Sequence, residues 1–369
     1  MNKQIKHIYI HVPFCLRKCG YCSFYSEKFD DFAKNLYMEH LKKEIKTYKE
    51  SFQIKPQTVY FGGGTPSLLK ADEIKSILDL LDISDASEIT LETNPATVSE
   101  QEIKKMSQIG INRISVGVQS FNPDELKFLG RIHVNEDVGK LVDYLQKNEI
   151  ENYSFDLIYG LPDQTSEDIQ RTADQMLKLN PKHISTYCLT LEEDAPLFAH
   201  INRLPGDRLV SDMFYDIHDR LTAEGFEHYE LSNFAKPGFK AQHNVSYWEL
   251  KEYLGFGPSA SGYAGNIRYK NPSEIFGWIE TVEEKKIFPD REKLSLEDRV
   301  LEYIMLTLRL DKGMDRQDFI NKFNFDFFEK HEEKINYLSE AKYLIKTENS
   351  LKINPYAYMV FNEIITEFL

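Results

Sequence analysis

A chain of 369 residues, 41% hydrophobic and 28% charged, has room for roughly two to three domains, or for one large α/β domain with additions. Its net charge of −14 argues against an electrostatic footprint on nucleic acid or anionic lipid. No run approaches the roughly 18 apolar residues of a membrane span, and the opening MNKQIKHIYIHVPFC lacks the apolar core of a secretory signal, so a reducing, cytoplasmic setting is expected.

In chain order, β-branched and aromatic runs alternate with amphipathic stretches. HIYIHV, TVYFGGG, EITLET, RISVGVQ, YSFDLIYG and HISTYCLTL read as strands; 32–48, 71–81, 99–109, 135–147 and 166–179 read as the helices between them. Ser99 followed by Glu102, and Ser166 before an acidic turn, mark two helix starts. Six strand–helix units imply a parallel sheet with helices outside it, its strands apolar at their centres, curling into a partial (β/α)6 barrel. Gly62 to Ser67, Glu92 to Asn94, Gln119 and Ser120, and Gly160 to Gln164 all fall at carboxyl ends of these strands, where such a fold keeps its chemistry. Asp156, inside the fifth strand, is placed to face the barrel mouth.

A helix is expected over 208–223, followed by an aromatic-rich stretch. From about Leu294, three helices, a hairpin read from YLIKT–ENS–LKI and a final helix resemble a winged-helix module. Acidic residues outnumber basic ones from Arg291 to Leu369, so a structural or partner-docking role is expected there rather than DNA reading. The divisions are 1–225 for the barrel, 226–290 for a connecting region and 291–369 for the carboxyl-terminal module.

Three of the four cysteines, Cys15, Cys19 and Cys22, form C-x3-C-x2-C directly after the first strand. Three thiols cannot pair off, and a loop of this spacing can wrap them around a cubic iron–sulfur cluster with one iron left open. A Cys₃His zinc site using His11 is the competing metal reading, and incidental thiols the bland one. Cys188, in the sixth strand, is expected to be a small core residue. GGGTPS could be a plain strand-to-helix turn; it is not a P-loop, since no Gly-Lys-Ser/Thr follows. Glu92 could simply cap its loop, and Gln119 and Asp156 could satisfy one another inside the barrel.

The cysteine spacing, with Tyr21 just before the last thiol, resembles the signature of the radical S-adenosylmethionine (SAM) superfamily. YIHVPFC, GGGTPS, ETNP, SVGVQSFN, LGRIH and DLIYGLPDQT, in this order across 9–165, resemble its coproporphyrinogen-oxidase-like branch. The resemblance implies a [4Fe–4S] cluster on Cys15, Cys19 and Cys22, and SAM contacts from Tyr9, Tyr21, Gly63, Gly64, Thr65, Glu92, Gln119, Arg131 and Asp156. Within the branch, oxygen-independent coproporphyrinogen III dehydrogenases carry a further cysteine where this chain has Phe24, and a longer amino-terminal extension. Heme chaperones carry HNxxYW, matched here by His243 to Trp248. The resemblance therefore implies a heme chaperone that passes heme to an acceptor protein, with heme bound through or near His243. Without the resemblance, a core histidine would be the default reading; His228 and His133 are the other candidate ligands. It also implies an electron donor of flavodoxin-like or ferredoxin-like type, no nucleic acid partner, and peripheral docking to a membrane-bound acceptor rather than a membrane span.

Overall fold

The computed structural model describes residues 4–193 and 195–368. The outermost limits of the sequence-based divisions, 1 and 369, lie outside them.

The six anticipated strands are β1 (Gln4–Val12), β2 (Gln53–Gly63), β3 (Glu88–Thr93), β4 (Arg113–Gln119), β5 (Tyr153–Tyr159) and β6 (His183–Cys188), consecutively paired and parallel. The crossovers carry α1 (Asp31–Ser51), α2 (Ala71–Leu81), α3 (Glu100–Gln108), α4 (Pro123–Leu129), α5 (Asn135–Lys147) and α6 (Ser166–Lys178). Side-chain caps fix their starts. Asp30 accepts from the Ala33 amide, Ser99 from Glu102, and Thr165 forms a reciprocal box with Asp168, so the last cap lies one residue before Ser166.

The strands are not apolar throughout. They alternate strictly, because only one face of the sheet meets helices. Ile8, Ile10, Val59, Phe61, Ile89, Leu91, Ile114, Val116, Phe155, Leu157 and Ile184 are fully or almost fully buried, with α1 and α2 packed on β2 and α7 (Asp207–Ala223) on β5. The intervening residues, His7, Tyr9, Thr58, Tyr60, Glu92, Arg113, Ser115, Ser154, Asp156 and His183, point to the concave face, where His7 meets Thr58, Tyr60 donates to Glu92, Ser154 meets His183 and Ser115 donates to Asp156. Polar groups tolerate that interior because they find partners in it, for example Ser154 Oγ with His183 Nδ1 at 2.8 Å.

Residues 226–290 do not merely connect; they build both edges of the sheet. β8 (Asn233–Ala235) adds antiparallel to β6, and β7 (Glu227–Glu230) pairs antiparallel with β8 at the outer edge. After α8 (Gln242–Trp248), β9 (Tyr253–Phe256) pairs parallel with the other edge at β1. β10 (Ser261–Ala264), β11 (Ile267–Lys270), α9 (Ile275–Glu283) and β12 (Asp290–Lys293) continue that edge. The order is β12-β11-β10-β9-β1-β2-β3-β4-β5-β6-β8-β7, an open mixed sheet with no closed barrel. Buried Glu44 of α1 pins the seam by accepting from the Gly257 amide, Asn271 Nδ2 and Trp278 Nε1.

The carboxyl-terminal unit runs α10 (Leu296–Thr307), β13 (Met314–Asp315), α11 (Arg316–Phe323), α12 (Phe327–Lys330), α13 (Glu332–Glu340), β14 (Leu344–Lys346), β15 (Ser350–Ile353) and α14 (Phe361–Thr366). Its three-stranded sheet, β13-β15-β14, with helices before and between the strands, has winged-helix order. No helix among the described residues is long and apolar enough to cross a membrane.

Candidate functional site

The cysteine loop leaves β1 and is tied down at both ends. Phe14–Cys15 pairs with Glu27–Lys28, and the Phe29 amide donates to the Cys15 carbonyl. The loop's middle is held by the Gly20 amide on the Leu129 carbonyl and the Leu197 amide on the Gly20 carbonyl. All three cysteines are free thiols and half-buried. Cys15 Sγ accepts from Thr65 Oγ1 at 3.6 Å, and Cys19 Sγ from Arg131 Nη1 at 3.4 Å. Burial pushes the Cys22 thiol above its usual pKa.

Among the described residues, no three His, Cys, Asp or Glu groups converge on a point where a single ion could sit. The zinc reading also loses its fourth ligand, because His11 Nδ1 meets the Tyr9 hydroxyl and His11 Nε2 the Tyr25 carbonyl, each at 3.0 Å. Three free thiols on one loop, with His11 engaged elsewhere, are the donor set of a cluster that keeps one iron without a protein ligand.

The glycine turn brings the second layer. Gly64 donates to the Val12 carbonyl and Thr65 to Phe14, binding the turn to the strand that launches the cysteines. Gly63 adopts φ +111°, which a side chain at this position would resist, and its amide donates to Glu92 Oε2 at 3.1 Å. The Tyr60 hydroxyl donates to Glu92 Oε1 at 2.7 Å. Burial, reinforced by the Asp156 charge, nevertheless raises the Glu92 pKa to about 7. Asp156 rises to about 6, again through burial, although Ser185 and Ser115 donate to it.

Arg131 closes the other flank. Burial works against its charge, but Tyr21, Cys19 and Asp156 outweigh it and hold the guanidinium firmly protonated. One terminal nitrogen donates to the Gly117 carbonyl and the other to Cys19, while Nε is buried without a partner. Gln119, nine-tenths buried, has φ +70°, a strained backbone at the register shift that ends β4. Tyr9, Tyr21, Gly63, Gly64, Thr65, Glu92, Gln119, Arg131 and Asp156 therefore gather with the cysteines at one end of the concave face. An unpartnered guanidinium nitrogen beside buried carboxylates that have hydrogen-bond donors but no salt-bridge partner fits a zwitterionic, cationic ligand such as SAM. Tyr60, Arg113, Ser115 and Ser185 belong to the same interior and were missed from the sequence; the period-two alternation of their strands was the available signal.

His243 is elsewhere. It lies on α8 at the amino-terminal end of the strands, fully buried; Glu88, the first residue of β3, accepts its backbone amide and that of Gln242. Both ring nitrogens are engaged, Nδ1 with Thr58 Oγ1 and Nε2 with the Tyr247 hydroxyl, each at 2.7 Å. Burial, then His7 and Arg113, drives its pKa well down. In this conformation the expected heme ligand offers no nitrogen to an iron. Of the alternatives, His228 is stacked on Phe234 and bonded to His218 and the Leu231 carbonyl, and His133 is buried beside Arg131. Cys188 is a correction: it is exposed, not core, because the last two residues of β6 run past the cover of the helices.

The radical SAM superfamily profile matches residues 9–176, and the HemN C-terminal domain profile residues 294–360. The heme chaperone HemW of Lactococcus lactis is 36% identical, with 100% of this chain and 98% of that protein aligned. The HemW of Haemophilus influenzae is 34% identical over 98% of this chain and 97% of its own length. The chain belongs to the HemW family of radical SAM proteins. Among solved structures, the Escherichia coli coproporphyrinogen III oxidase HemN superposes with a TM-score of 0.86 over 99% of this chain and 90% of that one; at 22% identity this likeness shows the fold. Membership in the superfamily implies a [4Fe–4S] cluster and SAM. In HemW-family terms, the site divides into a cysteine and carboxylate end and an HNxxYW end, at opposite ends of the strands on the same concave face.

Proposed function

We propose that this chain is a heme chaperone: it binds heme, delivers it to an acceptor protein, and carries a SAM-binding [4Fe–4S] cluster on Cys15, Cys19 and Cys22. The observation that carries the reading is end-to-end similarity to HemW chaperones, HNxxYW segment included. Phe24, where the coproporphyrinogen dehydrogenases have a cysteine, points the same way and stands exposed on the loop.

At the cysteine end, the bound cluster and SAM supply one-electron chemistry at a sulfonium. The chain's own groups do the positioning. Thr65 and Arg131 donate to Cys15 and Cys19, which would hold the cluster, and the free Nε of Arg131 would be available to a ligand carboxylate. Glu92, oriented by Tyr60 and Gly63, would accept from a ligand ammonium, and Tyr9, Tyr21, Gln119 and Asp156 would complete the SAM-binding set. Heme is held at the HNxxYW end, where His243 anchors the segment. The setting is cytoplasmic, with a flavodoxin-like or ferredoxin-like electron donor and an acceptor that can be approached at a membrane surface.

The test is anaerobic. Cluster-reconstituted protein is loaded with hemin and mixed with an apo-acceptor; stoichiometric uptake and transfer of heme are expected. A parallel incubation with coproporphyrinogen III, SAM and reductant is expected to yield no catalytic protoporphyrinogen, and its formation would overturn the chaperone reading.

A further inference from the structure

Between the two ends, the concave face holds a cation that no neighbour balances. Arg113, the first residue of β4, points into this interior and is only 2% exposed. Its Nε is buried without a partner, and among the described residues no hydrogen bond or ion pair engages the rest of the guanidinium. Thr90 of β3 is its register partner on the neighbouring strand; it is fully buried, and its hydroxyl is likewise unpartnered. Two orphaned donors therefore stand side by side on strands roughly 4.8 Å apart. Buried polar groups find hydrogen-bond partners, and a buried charge needs a counter-charge as well.

None of the surrounding groups supplies one. Toward the cysteine end, Glu92 is taken by the Tyr60 hydroxyl and the Gly63 amide, and Asp156 by Ser185 and Ser115. Toward the other end, Glu88 accepts the amides of Gln242 and His243, and Glu230 is paired with Arg309. The imidazoles of His183 and His243 have both ring nitrogens bonded. Burial leads in driving their pKa values well down, and the Arg113 charge adds to it, so both stay neutral. Burial also keeps His7 uncharged and the Tyr229 phenol protonated.

This donor pair calls for an acceptor that carries negative charge, and depth limits its size. Donors so completely enclosed suit a monatomic ion, whereas phosphate, sulfate or an organic acid brings bulk and further oxygens that need partners of their own. A water molecule satisfies donors but leaves the charge unbalanced. We propose that Arg113 and Thr90 hold a halide, chloride in the cell, as a structural counter-ion at the centre of the concave face. The Nε–H and the Thr90 hydroxyl donate to it, and the guanidinium charge is neutralised where no carboxylate reaches it. The site uses none of the residues assigned to cluster, SAM or heme, and it stands independently of the chaperone reading.

Two measurements on the full chain test the proposal. In crystals soaked in sodium bromide, an anomalous peak is expected within hydrogen-bonding reach of Arg113 Nε and Thr90 Oγ1. In urea unfolding at constant ionic strength, chloride is exchanged against gluconate, an anion too large to enter. Each tenfold rise in chloride above its dissociation constant is expected to raise the unfolding free energy by about 1.4 kcal/mol. Thr90→Val, which keeps the side-chain shape and loses only the hydroxyl, is expected to need severalfold more chloride for half saturation. Arg113→Met is expected to lose both the peak and the chloride dependence. Water at this position with no bromide signal, identical wild-type unfolding in chloride and gluconate, or an undiminished chloride response in Arg113→Met would each overturn the assignment.

Discussion

Glu92 permits the sharpest test of the carboxylate end. Its carboxyl is buried, and its pKa is raised from 4.5 to about 7, first by desolvation and then by Asp156. In the unfolded chain it ionises near its ordinary value, so between the two values the native state holds more protons than the unfolded state. Stability from this group is therefore lost as pH rises, the reverse of a salt-bridged carboxylate. At about 1.36 kcal/mol per pKa unit, the ionised side chain costs the ligand-free protein about 3 kcal/mol, and the cost grows by about 2.5 kcal/mol from about pH 5 to about pH 8. Buried histidines act oppositely over the lower part of that range: burial lowers His7 and His133 to about 4, so they favour the native state as pH rises. A difference measurement removes them. Urea unfolding of SAM-free wild type and Glu92→Gln should show the variant gaining stability relative to wild type as pH rises, while SAM affinity of the wild type climbs over the same interval and that of the variant stays low and flat. A stability gap that does not change with pH would refute the claim that burial outweighs the Tyr60 and Gly63 hydrogen bonds at this carboxylate.

Cys19→Ser is expected to abolish cluster incorporation, read as iron and sulfide content, and, measured without SAM, to leave hemin uptake unchanged, because the two ends share no ligand. Gly117→Ala places a methyl group 2.9 Å from Gln119 Nε2 and 3.1 Å from Arg131 Nη2; SAM affinity measured by calorimetry should fall roughly tenfold, about 1.4 kcal/mol, with iron content intact. His243→Ala removes a buried imidazole and strands Thr58 and Tyr247, so urea unfolding should show a loss of about 3 kcal/mol, several times more than an exposed-site substitution.

Locally encoded features were readable in advance. The bounds of α2 and α5 coincide with those expected, since Glu73 and Asp137 accept from the backbone amides of Lys70 and Val134 at the helix starts and the apolar faces have clean helical spacing. Glu92, Gln119 and Asp156 lie on neighbouring parallel strands of one sheet, which is the part of the cysteine and carboxylate end that strand order alone makes readable. What escaped depends on distant partners. YLGF carries too few residues to declare itself a strand, and its place beside β1 is set by a chain segment some 245 positions earlier. The inward polar residues were overlooked because Ile, Val and Phe dominate each strand by count, while alternation shows only when the two faces are separated. His243 looked available because a sequence motif does not reveal that Thr58 and Tyr247 occupy both sides of the ring.

The interior column also bears on how the two ends communicate. Buried Arg113 lies between them, its charge felt by Glu92 and Asp156 toward one rim and by His243 toward the other. Its Nε has no partner, so one donor of the guanidinium is left uncommitted inside the column. A cationic ligand that engages Glu92 and Asp156 is expected to change the field at Arg113 and, through it, at His243, whose Nε2 meets the Tyr247 hydroxyl. Coupling of this kind is reciprocal: SAM must alter hemin affinity by the same factor as hemin alters SAM affinity. A shift of severalfold is expected in each direction for the wild type and none for Arg113→Met. Equal hemin affinity with and without saturating SAM would mean that the column is inert packing and that the two ends merely share a sheet.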